Sequence, residues 1–145
     1  MSDQEVLSKA KQIIGKCMFP AFTTIDENGF PQSRAMMVSG LDDDFTLYYI
    51  TSRTSSKCSQ IAENPNVSTL WTNVVEPMRD WGSALVKGKA SVTDDKKLRD
   101  RFWMDQLLFV FPGGVDDPNF VIIVVKPIEL DLADNTMMFP TRLKL

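Results

Sequence analysis

Apolar positions recur along this chain with two periods, and the points where one gives way to the other mark its elements. Phe45, Leu47 and Tyr49 alternate with Thr46, Tyr48 and Ile50, a period-two pattern rich in aromatic and β-branched residues that predicts a strand. Thr51 to Lys57 then place five hydroxyls and two cations in seven residues, just ahead of helical spacing at Lys57, Cys58, Ile61 and Ala62. Asn64-Pro65 closes that helix, because a proline disfavours helical geometry at the residue before it.

The rest of the chain reads in the same way. Ser2-Asp3-Gln4-Glu5 is a capping-box pattern, and Val6, Leu7, Ala10, Ile13 and Ile14 fall on one face of a first helix ending near Gly15. Cys17 to Ile25 and Pro31 to Ser39 predict a hairpin about the turn Asp26-Glu27-Asn28-Gly29. Val67 to Thr72 is a short strand, Asn73 to Trp81 a loop containing Pro77, and Gly82 to Val92 a long strand. Gly88 inside that strand marks a bulge or a close backbone approach. A third helix starts at Thr93-Asp94-Asp95, carries Leu98, Phe102, Trp103 and Leu107, and stops before the Phe111-Pro112-Gly113-Gly114 turn. Phe120 to Val125 is an uninterrupted apolar strand of the kind buried on both faces, continued past Pro127 by Ile128 to Leu132, and the tail has little pattern.

These elements amount to six or seven strands with three helices, in one domain. Short antiparallel connections with few edges left over favour a small barrel over a sandwich. The fold class expected is mainly β with peripheral helices.

Composition narrows the function. A formal net charge of −3 argues against a nucleic-acid surface, which needs a broad cationic field, but leaves room for a local basic pocket. No apolar run approaches the ~18 residues of a membrane span, and the N-terminus lacks the apolar segment of a signal peptide, so a cytoplasmic protein is expected. Cys17 and Cys58 have no CxxC spacing and read as reduced structural thiols. Zero histidines remove Ser-His-Asp and Cys-His nucleophile systems, most zinc sites and His-ligated haem.

Two places carry candidate chemistry. The hydroxyl-rich turn ahead of the second helix suits a phosphate, since the first backbone N–H groups of a helix lack internal partners; it equally suits an ordinary capped helix with solvated Arg53 and Lys57. Arg34 shares a strand face with Met36 and Val38, and a cation there needs a bound anion, an acidic partner such as Glu63, or an edge to which it can snorkel. The aromatic run Trp103, Phe109 and Phe111 reads as core, or as a cover over a planar ligand or partner subunit.

In order and spacing, SRAMMV at Ser33 to Val38, LYYITSRTSSK at Leu47 to Lys57, IAENPNVS at Ile61 to Ser68, GKASV at Gly88 to Val92 and FPGGVDDP at Phe111 to Pro118 resemble the pyridoxamine 5'-phosphate oxidase-related FMN-binding split barrels, especially their short general-stress-protein branch. That resemblance covers nearly the whole chain. It implies a homodimer of six-stranded antiparallel split barrels with FMN in the groove between protomers. It assigns the FMN phosphate to Arg34, Ser55, Ser56 and Lys57, and the flavin ring to Ile50, Thr51 and Ser52, with backbone at Met36 and Met37 and residues around Ser83.

Departures from the parent oxidase accompany the likeness. Ser39 stands where the oxidase has a lysine five residues after the strand arginine, and Ser56 where it has an arginine before the helix lysine. The oxidase's C-terminal extension, with the Arg and His that grip the vitamin, has no counterpart in this sequence, so true pyridoxamine-phosphate oxidation is not expected. The resemblance implies an FMN-dependent oxidoreductase exchanging hydride or electrons with small-molecule donors and acceptors. Its alternatives are a stress protein that sequesters flavin without turnover, and a deazaflavin-dependent reductase.

Overall fold

The structure, a computed structural model, describes all 145 residues. Helix α1 (Asp3–Gly15) starts on the capping box read from the sequence, with the Ser2 hydroxyl accepting from the Glu5 N–H and the Glu5 carboxylate accepting from the Ser2 N–H. It buries Val6 and Ala10. Strands β1 (Ala21–Ile25) and β2 (Pro31–Ala35) form the predicted hairpin. The Asp26 carboxylate accepts from the Asn28 and Phe30 N–H groups, and Gly29 supplies the positive φ that the turn requires.

Several boundaries depart from the sequence reading. Strand β1 begins at Ala21, not Cys17, and β2 ends at Ala35, so Met36 to Ser39 leave the ladder. A two-residue strand β3 (Gly40–Leu41) then pairs with β4 (Leu47–Ser52). Strand β4 starts after Phe45, whose φ of 66° closes the Asp42–Phe45 turn while its ring is buried. Helix α2 (Ser56–Glu63) follows.

The expected loop at Asn73 to Trp81 is instead the end of a long hairpin: β5 (Asn66–Glu76) and β6 (Asp80–Thr93) pair throughout, with Pro77 in the connecting turn. Helix α3 (Lys96–Phe102) is shorter than predicted, because Trp103 adopts an extended backbone; Leu107 belongs to a separate 3-10 turn, Asp105–Phe109. Strand β7 (Phe120–Asp134) runs straight through Pro127, and the patternless tail forms strand β8 (Thr141–Lys144) on its edge.

All strands join one antiparallel sheet in the order β2-β1-β5-β6-β7-β4-β3, with β8 on β7. There are thus eight strands rather than the six or seven read from the pattern and the six that the resemblance implies, and no ladder joins β2 to β3, so the sheet does not close. It is curled nonetheless. The rings of Phe22 on β1 and Tyr49 on β4, strands far apart in the sheet, lie 4.5 Å apart, and the Tyr49 hydroxyl meets Thr69 Oγ1 of β5 at 2.6 Å. Apolar residues of both halves, including Trp71, Val86, Ile123 and Leu130, fill the space between them, and burying each such side chain contributes roughly 1.5–3 kcal/mol.

Outside the curl, Tyr48, Phe111, Phe120 and Ile122 form a second core beneath α3 and the 3-10 turns. This explains why Phe120 to Val125 is apolar on both faces. Trp103 and Phe111 pack edge-on against Phe120, whereas Phe109 is almost fully exposed. Gly88 sits opposite a bulge at Ile128 on β7, where an added Cβ would lie 2.4 Å from the Lys126 carbonyl oxygen; both halves of the sequence reading at Gly88 therefore hold.

Candidate functional site

The polar end of the curled sheet lies between the β1–β2 hairpin and α2. Arg34 pairs with Phe22 across the β1–β2 ladder, so both side chains share the inward face, and the guanidinium lies over the Phe22 ring at 5.9 Å. Its Nη1 donates to the Phe22 carbonyl oxygen at 3.2 Å and to Thr24 Oγ1 at 2.8 Å, while Nη2 approaches Gln60 Oε1 at 3.4 Å. No carboxylate pairs with it. The ion pair to Glu63 that the sequence allowed is therefore not formed.

Lys57, in the first turn of α2, is half-buried and likewise has no carboxylate partner. Burial holds its ammonium below the usual lysine range, and the positive charge of Arg34 lowers it further. Burial also lowers Arg34. The two cations thus repel one another, and neither has a carboxylate within ion-pair distance.

The helix between them is open at its start. Ser55 occupies the N-cap position but makes no capping hydrogen bond; its hydroxyl turns to Thr51 Oγ1 at 3.2 Å and toward Cys58 Sγ at 3.5 Å. The ordinary capped helix is thereby set aside, and the N-terminal turn, which lacks an acidic residue, presents its positive dipole end unneutralised. Arg53 is not part of this arrangement: it pairs with Asp94 at 3.1 Å and donates to the Pro118 carbonyl oxygen at 2.8 Å.

Arg34, Thr51, Ser55, Ser56 and Lys57 are therefore brought to one corner, with Met36 on the Arg34 side of its segment, partly buried against the main core. Met37 turns away into a crevice beside Cys17 and Trp71. Ile50 packs into the second core, and the Ser52 hydroxyl bonds Thr54 Oγ1 at 3.0 Å. Ser83 lies on the outer face of β6, opposite Thr72, away from this corner. Sequence pattern did not single out Gln60 and Thr24, which anchor Arg34. A signal was nevertheless present, since period-two alternation puts the Thr24 hydroxyl on the same inward face as Phe22.

The family described as Pyridoxamine 5'-phosphate oxidase like matches residues 5–137. The chain belongs to this family. It is similar to general stress protein 26 of Bacillus subtilis (strain 168), to which it is 30% identical over 145 residues, the full length of both chains. The crystal structure of general stress protein 26 from Bacillus anthracis superposes with a TM-score of 0.76 at 30% identity, covering 97% of this chain and 99% of the other. A Clostridium acetobutylicum protein related to general stress protein 26 shares the fold with a TM-score of 0.81 at 17% identity, covering 99% and 97% of the two chains. No helix in this family member is long and apolar enough to cross a membrane.

Proposed function

We propose that the chain binds FMN through its 5'-phosphate at the corner between β2 and α2 and serves as a flavin-dependent oxidoreductase. The observation that carries this reading is the pair of half-buried cations, Arg34 and Lys57, facing each other with no carboxylate, beside a helix start that no side chain caps. A phosphomonoester near pH 7 carries a charge of about −1.5 to −2 and three acceptor oxygens, enough to relieve the repulsion and accept from both cations and the α2 backbone. Membership of a family named for a phosphorylated substrate agrees with this.

Each residue then has a definite task. Arg34 and Lys57 hold the phosphate, Ser55 and Ser56 line it from the uncapped turn, and Thr51 fixes the Ser55 hydroxyl. Backbone at Met36 and Met37 and the end of β4 from Ile50 to Ser52 border the ring. Ser83 can reach a flavin only from a second protomer, which fits the homodimer that the resemblance implies.

When bound, FMN supplies hydride and electron transfer at its isoalloxazine ring. The corner itself contributes cations and hydroxyls, and the chain has no histidine, so the protein's part is binding and orientation rather than proton transfer. Small-molecule donors such as reduced nicotinamides require no general base. The same cations and hydroxyls would also serve a second reading, a protein that holds flavin without turning it over.

The visible spectrum of freshly purified protein tests the proposal. A yellow protein whose extracted chromophore has the mass of FMN, bleached by reduced nicotinamide and restored by a dye acceptor, is expected. Bound FMN that no donor reduces would identify the holding function, a deazaflavin mass would move the chain to that reductase class, and failure to bind any phosphorylated flavin would overturn the reading.

A further inference from the structure

Every group that holds Arg34 is neutral. Gln60 and Thr24 are buried, and with the guanidinium they form a closed ring of hydrogen bonds: Arg34 Nη1 to Thr24 Oγ1 at 2.8 Å, Thr24 Oγ1 to Gln60 Oε1 at 2.6 Å, and Arg34 Nη2 to the same Gln60 oxygen at 3.4 Å. The ring determines its own orientation. A guanidinium offers only donors, so Gln60 must present its carbonyl oxygen to Arg34, which leaves its amide nitrogen to donate to Gln32 Oε1 at 2.9 Å. Glu63, one turn further along α2, is exposed and takes no part.

We propose that Gln60 is the positioning residue of the anion site, and that its neutrality is what leaves the Arg34 charge available to a ligand. The proposal rests on the reading that Arg34 and Lys57 hold a phosphomonoester. A carboxylate at position 60 would pair with the guanidinium by charge-assisted hydrogen bonds and cancel the field that the ligand needs. An apolar side chain would strand the Thr24 hydroxyl and Arg34 Nη2 in a buried place and free the guanidinium to drift. Only a neutral acceptor both fixes Arg34 and preserves its charge. Gln60 lies three residues after Lys57, so one turn of α2 sets both cations of the site.

Titration of the full-length protein with FMN and with riboflavin, alongside thermal melts, tests this. Wild type is expected to prefer FMN. Gln60→Glu, nearly the same shape, should lose about tenfold or more in FMN affinity, keep riboflavin affinity within about twofold, and melt no lower than wild type, because the new carboxylate pairs with Arg34. Gln60→Met should lose less FMN affinity and melt lower. A merely structural role for Gln60 would move stability and affinity together, not in opposite directions.

If wild type prefers FMN while folded Gln60→Glu retains the same preference, the positioning role is wrong and the phosphate site stands. If wild type shows no preference, both fall. Should Gln60→Glu fail to fold, Thr24→Val provides the decision, since it removes the hydroxyl that links Gln60 to Arg34 with little change of shape: a preference for FMN reduced severalfold supports the ring, and an unchanged one overturns it.

Discussion

Two groups of charged side chains on this protein are assembled in opposite ways. On the outer face of the sheet, Lys87 lies 3.1 Å from Glu129 and 3.6 Å from Asp131, and Arg142 lies 2.9 Å and 3.0 Å from the same two carboxylates. Two cations meet two anions, and each charge is answered within the protein. At the corner between β2 and α2, Arg34 and Lys57 are no better exposed, yet neither meets a carboxylate, and the partners of Arg34 are an amide, a hydroxyl and a backbone carbonyl. Burying a charge without a counter-charge is costly. The first group serves the fold, while the second keeps an unmet demand for negative charge, which is what an anion site requires before its ligand arrives.

The balanced group depends on a backbone device, and breaking that device should give the largest effect. The bulge at Ile128 shifts the β6–β7 register by one residue, so that Lys87 faces Glu129. Gly88 permits the shift by letting the Lys126 carbonyl approach where a Cβ would stand. Gly88→Ala should destabilise the protein by about 2 to 4 kcal/mol, seen as a lower denaturant midpoint at unchanged slope. A midpoint within experimental error of wild type would mean that β7 can slide to a bulge-free register without penalty.

The unbalanced group should respond through its ligand rather than its stability. Arg34→Ala is expected to weaken FMN by about 1.5 to 3 kcal/mol, roughly ten- to a hundredfold, with little change for riboflavin, because the contacts removed are charge-assisted ones to the phosphate. Equal losses for the two flavins would place the arginine elsewhere than at the phosphate. Unchanged flavin affinity together with a large drop in melting temperature would make Arg34 a packing residue, like the charges of the outer face.

How far the sequence foretold this contrast depends on the range of the forces involved. Local signals were legible: the capping box at Ser2 and Glu5, the turn at Asp26 to Gly29, and the close approach at Gly88 all follow from residues within a few positions of one another. The likeness at Arg34 and at Ser55 to Lys57 located two cations that the fold brings to one corner. Strand ends were less legible. Pro77 suggested a loop at Asn73 to Trp81, but pairing between β5 and β6 carried the two strands to Glu76 and Asp80, leaving only Pro77 to Arg79 in the turn. Strand β8 has no pattern of its own, because its charges are matched by Glu129 and Asp131, more than ten residues upstream. The Gln60–Thr24 ring was hidden for the same reason, since its three members lie on β1, β2 and α2.

The pH dependence of binding separates the two cations of the corner. Lys57 is lowered by burial first and by Arg34 second. An anion favours the protonated lysine, so the phosphate-dependent part of the affinity is complete below the depressed Lys57 value and falls as pH rises through it, earlier than for an ordinary lysine. At the acid end the fall follows the second phosphate ionisation, near pH ~6. Expressed as the ratio of FMN to riboflavin affinities, in which ring ionisation cancels, the profile should be a plateau with two limbs. Lys57→Met should remove the alkaline limb and leave the acid one. An alkaline limb that persists in this variant would belong to another group.

The smallest effect belongs to the charges that are already matched. Lys87 is 44% exposed and Arg142 63%, whereas Glu129 and Asp131 are 21% and 12% exposed, so the network is anchored by its acids and screened by solvent at its bases. With Arg142 still in contact with both carboxylates, Lys87→Met should cost less than about 1 kcal/mol. The difference should shrink further in molar salt, where screening acts within about 3 Å. The ratio of FMN to riboflavin affinities should not move. A loss that grows on dilution would instead mean that the network lies within the contact between protomers, where desolvation makes each charge count for more, and a shift in the flavin ratio would mean that the outer face and the corner are not the independent charge systems contrasted above.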